Sequence, residues 1–307
     1  MIVIIGSINM DLVLRVSRMP VPGETISGGQ FRTIPGGKGA NQAVACARLS
    51  AGRSPVAMIG CLGDDGFGTQ LRAALQKDGI DDRHVSTIAN TATGIATIIV
   101  DDNGQNSIVL AGGANDALSP AHIDAAHAVI AQASIVVLQL ETPLATMRHA
   151  IAAAHALGKT VMLNPAPAQA LPAESLAQVD YLIPNEIEAA MLASMAKPDI
   201  ASNVGTRQLD AMIGTLRAKG CRKVLVTLGD KGVYAALDGE AQHFPAQRVN
   251  AIDTTAAGDT FIGGFVAALA EGLSETEAIA FGQRAAALSV ARVGAQTSIP
   301  YRSELEQ

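Results

Sequence analysis

The chain of 307 residues has no tryptophan, and aromatic residues make up only 3% of it. Aromatic faces on which bases could stack are therefore scarce, which argues against a protein that binds single-stranded nucleic acid. Positive charge is scarce as well, because 22 lysines and arginines against 28 acidic residues leave a formal charge of −6. Binding to DNA or RNA needs a basic surface, so we expect no nucleic-acid partner.

Cysteine and long apolar runs are also in short supply. The three cysteines, Cys46, Cys61 and Cys221, are widely spaced among small or apolar neighbours, which is typical of free thiols in a reducing compartment. The six histidines show no spacing typical of metal ligands. The first apolar run, residues 2–5, is too short for a signal peptide, and no later run is long enough to cross a bilayer. We therefore expect a cytoplasmic protein with no membrane partner.

Hydrophobic residues make up 49% of the chain and are grouped in short runs that alternate with helical segments. This alternation predicts an α/β fold, with a doubly wound, mainly parallel central sheet flanked by helices. No linker or repeat interrupts it, so we expect one domain over residues 1–307. The expected strands are residues 2–5, 56–59, 135–138, 160–163, 181–183 and 223–227, and the expected helices are residues 40–49, 68–78, 145–157, 185–192 and 209–219.

Two segments, residues 12–33 and 93–110, fall outside this alternation. The second is typical of a β-hairpin, because two apolar runs flank the turn residues Asp101-Asp-Asn-Gly104. We expect the two segments to form a small β-sheet that acts as a lid and excludes water from the site. Its open edge or apolar face would also favour pairing with a second copy, which predicts a homodimer through the lid sheets.

Polar residues follow several of the predicted strands, and ligands of parallel sheets bind beyond the carboxyl ends of the strands. We therefore expect an active site where these residues meet. They are Asn9, Asp11, Glu141, Asn164, Asn185 and Gly229.

The segment Asp253-Thr-Thr-Ala-Ala-Gly-Asp259 combines acids, hydroxyls and small residues just before an apolar stretch. Such a segment suits a helix N-terminus that binds an anion through free N–H groups. Asp259 would repel that anion unless it accepts a proton from a hydroxyl during the reaction. An ordinary solvent-exposed helix cap is the alternative, because Asp and Thr favour that position.

A second glycine-rich segment, Gly36-Gly-Lys-Gly-Ala-Asn41, precedes a predicted helix. It is neither a Walker A loop nor the dinucleotide motif GxGxxG. A flexible turn with a stray lysine is one interpretation. The other is a backbone that approaches a small polyol, with Lys38 and Asn41 bonding its hydroxyls.

With these two segments the chain resembles the ribokinase family of carbohydrate kinases along nearly its whole length. Further segments of the resemblance occur in the order typical of that family: Gly6-Ser-Ile-Asn9-Met-Asp11, Leu138-Gln-Leu-Glu141, Asn164-Pro-Ala-Pro, Pro184-Asn185-Glu-Ile-Glu188, Thr227-Leu-Gly-Asp-Lys-Gly232 and Gly294-Ala-Gln-Thr-Ser298. The family often has glycine at the position of Ala256. We expect right-handed helical backbone there, which tolerates a methyl group.

The resemblance implies a sugar site, a catalytic base and an anion hole. Asp259 would be the base, and the amides of Ala256, Ala257 and Gly258 would face the γ-phosphate. The sugar would be held by Asn9, Asp11, Gly37, Lys38, Asn41, Glu141 and Asp259.

The resemblance also implies a nucleotide site and two kinds of metal ion. Glu188 would help to hold Mg²⁺, mainly indirectly, and K⁺ would act as an activator beside the anion hole. The nucleotide would contact Asn185, Thr227, Gly229, Gly232, Gly258 and Gln283. The K⁺ site would comprise Asp253, Thr255, Ser289, Arg292, Gly294 and Ser298, several of them through main-chain carbonyls.

The function implied is ATP-dependent phosphorylation of the 5-hydroxyl of D-ribose, giving D-ribose 5-phosphate and ADP. The same chemistry on 2-deoxyribose, a ketohexose or a nucleoside is the closest alternative. A non-catalytic sugar sensor is disfavoured, because it would need neither Asp259 nor an anion hole. A dinucleotide-dependent oxidoreductase is disfavoured by the missing GxGxxG after the first strand.

Overall fold

The computed structural model describes residues 1–196 and 205–306. Within those ranges, no helix is both long enough and apolar enough to cross a membrane. The strands are β1 Ile2–Ile5, β2 Asn9–Arg15, β3 Phe31–Gly36, β4 Val56–Gly63, β5 Asp81–Ile88, β6 Gly94–Val100, β7 Asn106–Ala111, β8 Ile135–Leu138, β9 Thr160–Leu163, β10 Tyr181–Leu182, β11 Lys223–Thr227, β12 Val233–Ala236 and β13 Gln242–Phe244.

Helices follow most strands of the larger sheet, as the alternating sequence pattern predicts. Two of them, α9 and α10, pack on each other and on the face that also carries α1. The helices are α1 Lys38–Ser50, α2 Gly66–Lys77, α3 Pro120–Ala125, α4 His127–Gln132, α5 Leu144–Ala156, α6 Ala173–Leu176, α7 Glu186–Leu192, α8 Thr206–Ala218, α9 Ala257–Ala270 and α10 Glu275–Val290.

In the described part of the chain, nine strands form the central sheet in the order β13-β12-β11-β10-β9-β8-β1-β4-β5. Its pairs are parallel from β5 to β11, and only β12 and β13 join antiparallel. Every residue of β1 is buried, with Val3 and Ile5 in one apolar layer and Ile2 and Ile4 in the other. A strand covered on both faces needs a continuous apolar run, which explains the pattern at residues 2–5. The expected doubly wound, mainly parallel α/β fold is confirmed.

A second sheet of four strands has the order β3-β2-β6-β7. It is built from the two segments that interrupt the strand–helix alternation, and β6 and β7 form the expected hairpin. All six residues of β7 are exposed. Phe31, Ile108 and Val109 are 60%, 54% and 68% exposed, so this sheet presents an uncovered apolar surface.

Three strands escaped the sequence analysis, and each lies near an edge of the central sheet. The edge strand β5 carries charged residues and is only partly buried, so it lacks an apolar run. The short strands β12 and β13 form the other edge. β5 and β13 are the edge strands and are partly solvated, so they lack apolar runs. β12 is fully buried, but its run of four residues is short.

Candidate active site

The N-terminus of α9 lies between two groups of the predicted site residues. The helix begins at Ala257, whose N–H donates to the carbonyl of Thr254 at 3.2 Å. The N–H groups of Ala256 and Gly258 make no hydrogen bond with any residue that the structure describes. These two donors lie at the positive end of the helix dipole and can therefore receive an anion.

The backbone at Ala256 differs from the expected right-handed helical conformation. It is left-handed, with φ 57° and ψ 14°. This conformation costs a residue with a Cβ about 1–2 kcal/mol. Surrounding bonds hold the loop in place. Asp253 accepts from the N–H groups of Thr255 and Gly294, both at 2.9 Å. The hydroxyl of Thr260 donates to the Ala256 carbonyl at 2.8 Å.

Asp259 lies in the first turn of α9 and is 6% exposed. The Nδ2 atom of Asn41 donates to its Oδ2 at 3.0 Å, and Nε2 of Gln42 donates to its Oδ1 at 2.9 Å. A carboxylate oxygen has two lone pairs, so each of these oxygens can still accept another donor. A carboxylate fixed in this way beside a helix N-terminus is arranged to take a proton from a hydroxyl.

Gln42, which the sequence analysis did not select, connects Asp259 to a buried chain of amides. Its Nε2 also donates to Oδ1 of Asn164 at 3.2 Å, and its Oε1 accepts from Nε2 of Gln139 at 2.6 Å. A carboxylate can only accept, so Asp259 determines which end of the Gln42 amide faces it. The chain of amides therefore limits rotation of the Asp259 carboxylate.

Lys38 and Glu141 form the charged part of the predicted sugar site. Glu141 accepts from the hydroxyl of Ser7 at 2.6 Å and from the N–H of Lys38 at 3.1 Å. Burial by itself would lower the pKa of Lys38, but the negative charges of Asp259, Glu141 and Glu188 outweigh it and raise the pKa. The ammonium group therefore stays charged among three carboxylates.

Asp11, in β2, is a buried carboxyl group near other negative charges. Burial first, and then the charges of Glu141 and Asp259, raise its pKa to about 7. Gly36 in β3 lies opposite β2, and a Cβ at that position would be 2.3 Å from Oδ2 of Asp11. Glycine is therefore required at position 36 to leave room for this carboxyl group.

A cavity of about 290 Å³ lies against this group of residues. Its wall contains Asn9 and Glu141, together with Asn115 from the turn after β7. Oδ1 of Asn9 accepts from Nδ2 of Asn115 at 2.7 Å. Asp11 and Lys38 do not line this cavity, although their charges are coupled to Glu141. Gly37 precedes α1.

A larger cavity of about 1010 Å³ borders the N-terminus of α9. Lys231 and Arg248 line it, so the cavity contains positive charge even though the chain is acidic overall. Nε2 of Gln283 donates to the carbonyl of Phe244 at 2.8 Å, which leaves its Oε1 available to a ligand. The predicted nucleotide residues in the wall are Thr227, Gly229, Gly232, Gly258 and Gln283.

Asn185 is not in that wall, but it pairs with Thr227 through an isolated bridge. Its Oδ1 accepts from the N–H of Glu188 at 2.8 Å, and Oε2 of Glu188 accepts from the N–H of Asn185 at 2.8 Å. This is a capping box at the start of α7. Burial raises the pKa of Glu188, the Asn185 N–H and Lys38 oppose the rise, and Asp259 adds to it. Glu188 is therefore close enough to Lys38 and Asp259 for their charges to influence its pKa.

The residues around Glu188 fit a magnesium ion that is held mainly by a substrate. Across residues 1–196 and 205–306, no three His, Cys, Asp or Glu side chains could hold a metal ion by themselves. Mg²⁺ in proteins commonly uses one or two carboxylates together with phosphates and water. The Oε1 atom of Glu188 is not engaged by the capping box and could serve such an ion.

The six residues predicted for K⁺ lie in two segments. Asp253 and Thr255 are in the loop before α9, and the other four, Ser289, Arg292, Gly294 and Ser298, are at the end of α10 and just after it. The guanidinium group of Arg292 pairs with Glu304 at 2.5 Å, so this residue could offer only its carbonyl. Burial would raise the pKa of Asp253, but hydrogen bonds from Thr255 and Gly294 lower it overall. The ionised carboxylate of Asp253 supplies a negative charge that suits a cation. Ser289 and Ser298 are fully buried and donate to the carbonyls of Ala286 and Ala295.

The sequence and the fold resemble those of known proteins. Residues 1–302 match the model of the pfkB family of carbohydrate kinases. The chain is 46% identical over 301 residues to a ribokinase of Haemophilus influenzae, which covers 98% of this chain and 95% of the relative. It is 38% identical over 301 residues to a deoxyribokinase of Salmonella typhi, covering 97% and 95%. An Arabidopsis thaliana ribokinase solved with ribose and ATP has a TM-score of 0.90 at 34% identity, covering 99% and 97%.

Proposed function

The chain belongs to the pfkB family of carbohydrate kinases, and we propose that it transfers the γ-phosphate of ATP to the 5-hydroxyl of D-ribose, giving D-ribose 5-phosphate and ADP. The position of Asp259 carries the proposal. This buried carboxylate lies beside the free N–H groups at the start of α9, with the larger cavity next to it and the charged sugar-side residues within electrostatic reach. Ribokinases among the relatives support ribose as the acceptor.

The sugar site combines donors and acceptors, as a polyol requires, because each hydroxyl both donates and accepts. Lys38 is a charged donor, and the carboxylates of Asp11 and Glu141 are acceptors. Their arrangement would place the 5-hydroxyl against Asp259. The sugar ligands in this proposal are Asn9, Asp11, Gly37, Lys38, Asn41, Glu141 and Asp259.

Asp259 takes the proton of the 5-hydroxyl as that oxygen attacks the γ-phosphorus. The new O–P bond forms while the bond to the β-phosphate oxygen breaks, and ADP leaves with that oxygen. Charge that develops on the γ-phosphoryl oxygens is stabilised by the amides of Ala256 and Gly258 and by the helix dipole, and Ala257 would join them once its N–H turns from Thr254. The base by itself typically contributes about 10²–10⁴ in rate.

The nucleotide would occupy the larger cavity, with its base or ribose near Gln283 and its phosphates toward Gly258. Asn185 and Glu188 would position phosphate-bound Mg²⁺, which neutralises phosphate charge when it is bound. K⁺ near Asp253 would add positive potential beside the anion hole and hold the shape of the loop. The carbonyl and carboxylate oxygens described above are consistent with both ions.

The small sheet would act as a lid over the sugar, and its uncovered apolar surface would join two copies in a homodimer. The fully exposed edge strand β7 and the exposed apolar side chains of Phe31, Ile108 and Val109 support that pairing, because an unpaired strand edge favours association with another chain. A cytoplasmic location belongs to the same proposal. It is supported by the three cysteines, which are all buried and unpaired.

The similarity to a deoxyribokinase makes 2-deoxyribose the second candidate substrate. A coupled assay of ADP release with D-ribose, 2-deoxyribose, a ketohexose and a nucleoside distinguishes ribose from 2-deoxyribose as the acceptor. We expect kcat/KM to be highest for ribose, because a site that bonds a hydroxyl rejects the analogue without it. A higher kcat/KM for 2-deoxyribose would overturn the choice of sugar, and ADP release with none of these compounds would overturn the kinase proposal.

The proposed K⁺ site can be tested without any substitution. Exchanging K⁺ for Na⁺ at constant ionic strength should lower kcat, because the smaller ion fits a loop of fixed carbonyls less well. Equal rates in the two salts would remove K⁺ from the proposal and leave the phosphoryl-transfer chemistry intact.

A further inference from the structure

Asn115 lies in the turn Gly113–Ala117, directly after the last strand of the small sheet. The residue is 1% exposed, so its amide has to be satisfied by the protein. Its Oδ1 accepts from the N–H of Ile8 at 2.9 Å, and its Nδ2 donates to the carbonyl of Ile8 at 3.2 Å. Main-chain groups cannot exchange donor and acceptor, so these two bonds fix the orientation of the Asn115 amide.

The fixed amide of Asn115 determines in turn how Asn9 is oriented. Nδ2 of Asn115 also donates to Oδ1 of Asn9 at 2.7 Å. If the Asn9 amide were reversed, two NH₂ groups would face each other, which a buried site does not tolerate. The Nδ2 atom of Asn9 makes no hydrogen bond within residues 1–196 and 205–306 and is not fully enclosed. It therefore faces the cavity of about 290 Å³ that Asn9 lines.

Gly94 supports this arrangement from the neighbouring strand. It pairs with Asn9 across β2 and β6. A Cβ at position 94 would lie 2.2 Å from Nδ2 of Asn115 and 2.5 Å from Oδ1 of Asn9. The two amides can meet only because this side chain is missing.

We propose that Asn115 is a positioning residue that sets the hydrogen-bonding direction of the sugar site by fixing Asn9 as a donor into the cavity. This inference rests on the proposed sugar kinase function and deepens it. The sugar oxygen that contacts Asn9 must accept a hydrogen bond from it. Asp11 and Glu141 instead accept hydrogen bonds from sugar hydroxyls. A ligand with no acceptor at that oxygen leaves the Asn9 donor without a partner and is disfavoured.

The test is a double-substitution cycle on the full-length chain with Asn115→Asp and Asn9→Ala. An aspartate at position 115 keeps the acceptor for the Ile8 N–H but cannot donate to Asn9. We expect Asn115→Asp to raise KM for ribose, and Kd for ribose by calorimetry without ATP, roughly 5- to 50-fold. We expect kcat and KM for ATP to change less than about threefold, because neither depends on the Asn9 donor.

The cycle distinguishes positioning from a general structural role. In the Asn9→Ala background, Asn115→Asp should change KM for ribose less than about twofold, because the amide that it orients is gone. An equal effect in both backgrounds, or an equal rise in KM for ATP, would overturn the proposal. Asn90→Asp, the same chemical change at an exposed position, is the matched control. If the aspartate variant does not fold, Asn115→Ser replaces it in the same cycle.

Failure of the proposed function can be separated from failure of this inference. A wild-type protein that releases no ADP with ribose contradicts the proposed substrate, whatever the variants do. In that case, the cycle is run by calorimetry with whichever compound of the sugar panel binds. A non-additive effect on the binding of that compound supports the role of Asn115, and an additive effect contradicts it.

Discussion

The two sides of the site bind their ligands with different parts of the protein. On the sugar side, the buried Asp11 and the half-buried Lys38 and Glu141 form a cluster of ionisable side chains. On the nucleotide side, the larger cavity is lined by glycines, by the half-buried Gln283 and by exposed charged residues, namely Asp230, Lys231 and Arg248. Interactions among buried charges depend strongly on each partner, whereas contacts near solvent are readily replaced by water. We therefore expect substitutions to have larger effects on the sugar side.

The largest effect should come from the residue between the two sides. Asp259→Asn removes the base, and we expect kcat to fall about 10²–10⁴-fold. The fold should survive, because Oδ1 of Asn41 has no hydrogen-bond partner among the described residues and its amide can reverse to accept from the new NH₂ group. Steady-state kinetics measures the loss, and calorimetry should show ribose affinity within about threefold of wild type. A kcat within tenfold of wild type would show that Asp259 is not the base.

A change on the sugar side should have the next largest effect. Glu141→Gln removes a charge that faces Lys38 and the cavity, and we expect KM for ribose to rise about 10- to 100-fold, since hydrogen bonds to charged groups contribute about 1.5–3 kcal/mol. Glu240→Gln, at an exposed position, is the control with the same change of charge. An unchanged KM would place the sugar elsewhere.

The charged cluster should also make stability depend on pH. Burial and the neighbouring carboxylates raise the pKa of Asp11 from its usual 3.8 to about 7 in the folded chain, so folding favours the protonated form. The stability that protonated Asp11 contributes to the folded state is fully present below pH 3.8 and is lost as the pH rises through about 7.

Asn in place of Asp11 does not titrate. The free energy of unfolding of Asp11→Asn minus that of wild type should therefore increase between pH 4 and pH 8, by on the order of 1–4 kcal/mol. Urea unfolding of both proteins over this range measures the gain. Parallel curves would mean that Asp11 is ionised throughout the range.

The smallest effect should come from the nucleotide side. Gln283→Ala removes a half-buried amide whose bond to the Phe244 carbonyl water can replace. We expect KM for ATP to change less than about threefold, with KM for ribose unchanged. A change above tenfold would break the contrast between the two sides and make Gln283 a main determinant of nucleotide binding.

The sequence predicted the central strands well because burial on both faces demands continuous apolar runs. Residues 2–5, 135–138, 160–163 and 223–227 have the predicted bounds as β1, β8, β9 and β11. Helix ends moved by one to three residues, since caps and local turns decide them. The edge strand β5 was missed because it begins with three consecutive charged residues and has no apolar run.

The site was predictable where it follows from local sequence. Asn9 and Glu141 were expected near each other because each follows a parallel strand, and both line the smaller cavity. The supporting amides were not predictable in this way. Gln42 contacts Asp259 across 217 positions and Asn115 contacts Asn9 across 106, and no local pattern encodes such contacts. The left-handed backbone at Ala256 was also missed, because alanine does not signal it.

The glycines beside Asp11 and Asn9 limit how this enzyme lineage can change its substrate. At positions 36 and 94, a single added carbon would collide with Asp11 and with the amides of Asn9 and Asn115, which belong to the proposed sugar site. A variant with a new acceptor specificity therefore has to keep glycine at both positions. In a saturation-mutagenesis library selected for activity, only glycine should remain at positions 36 and 94.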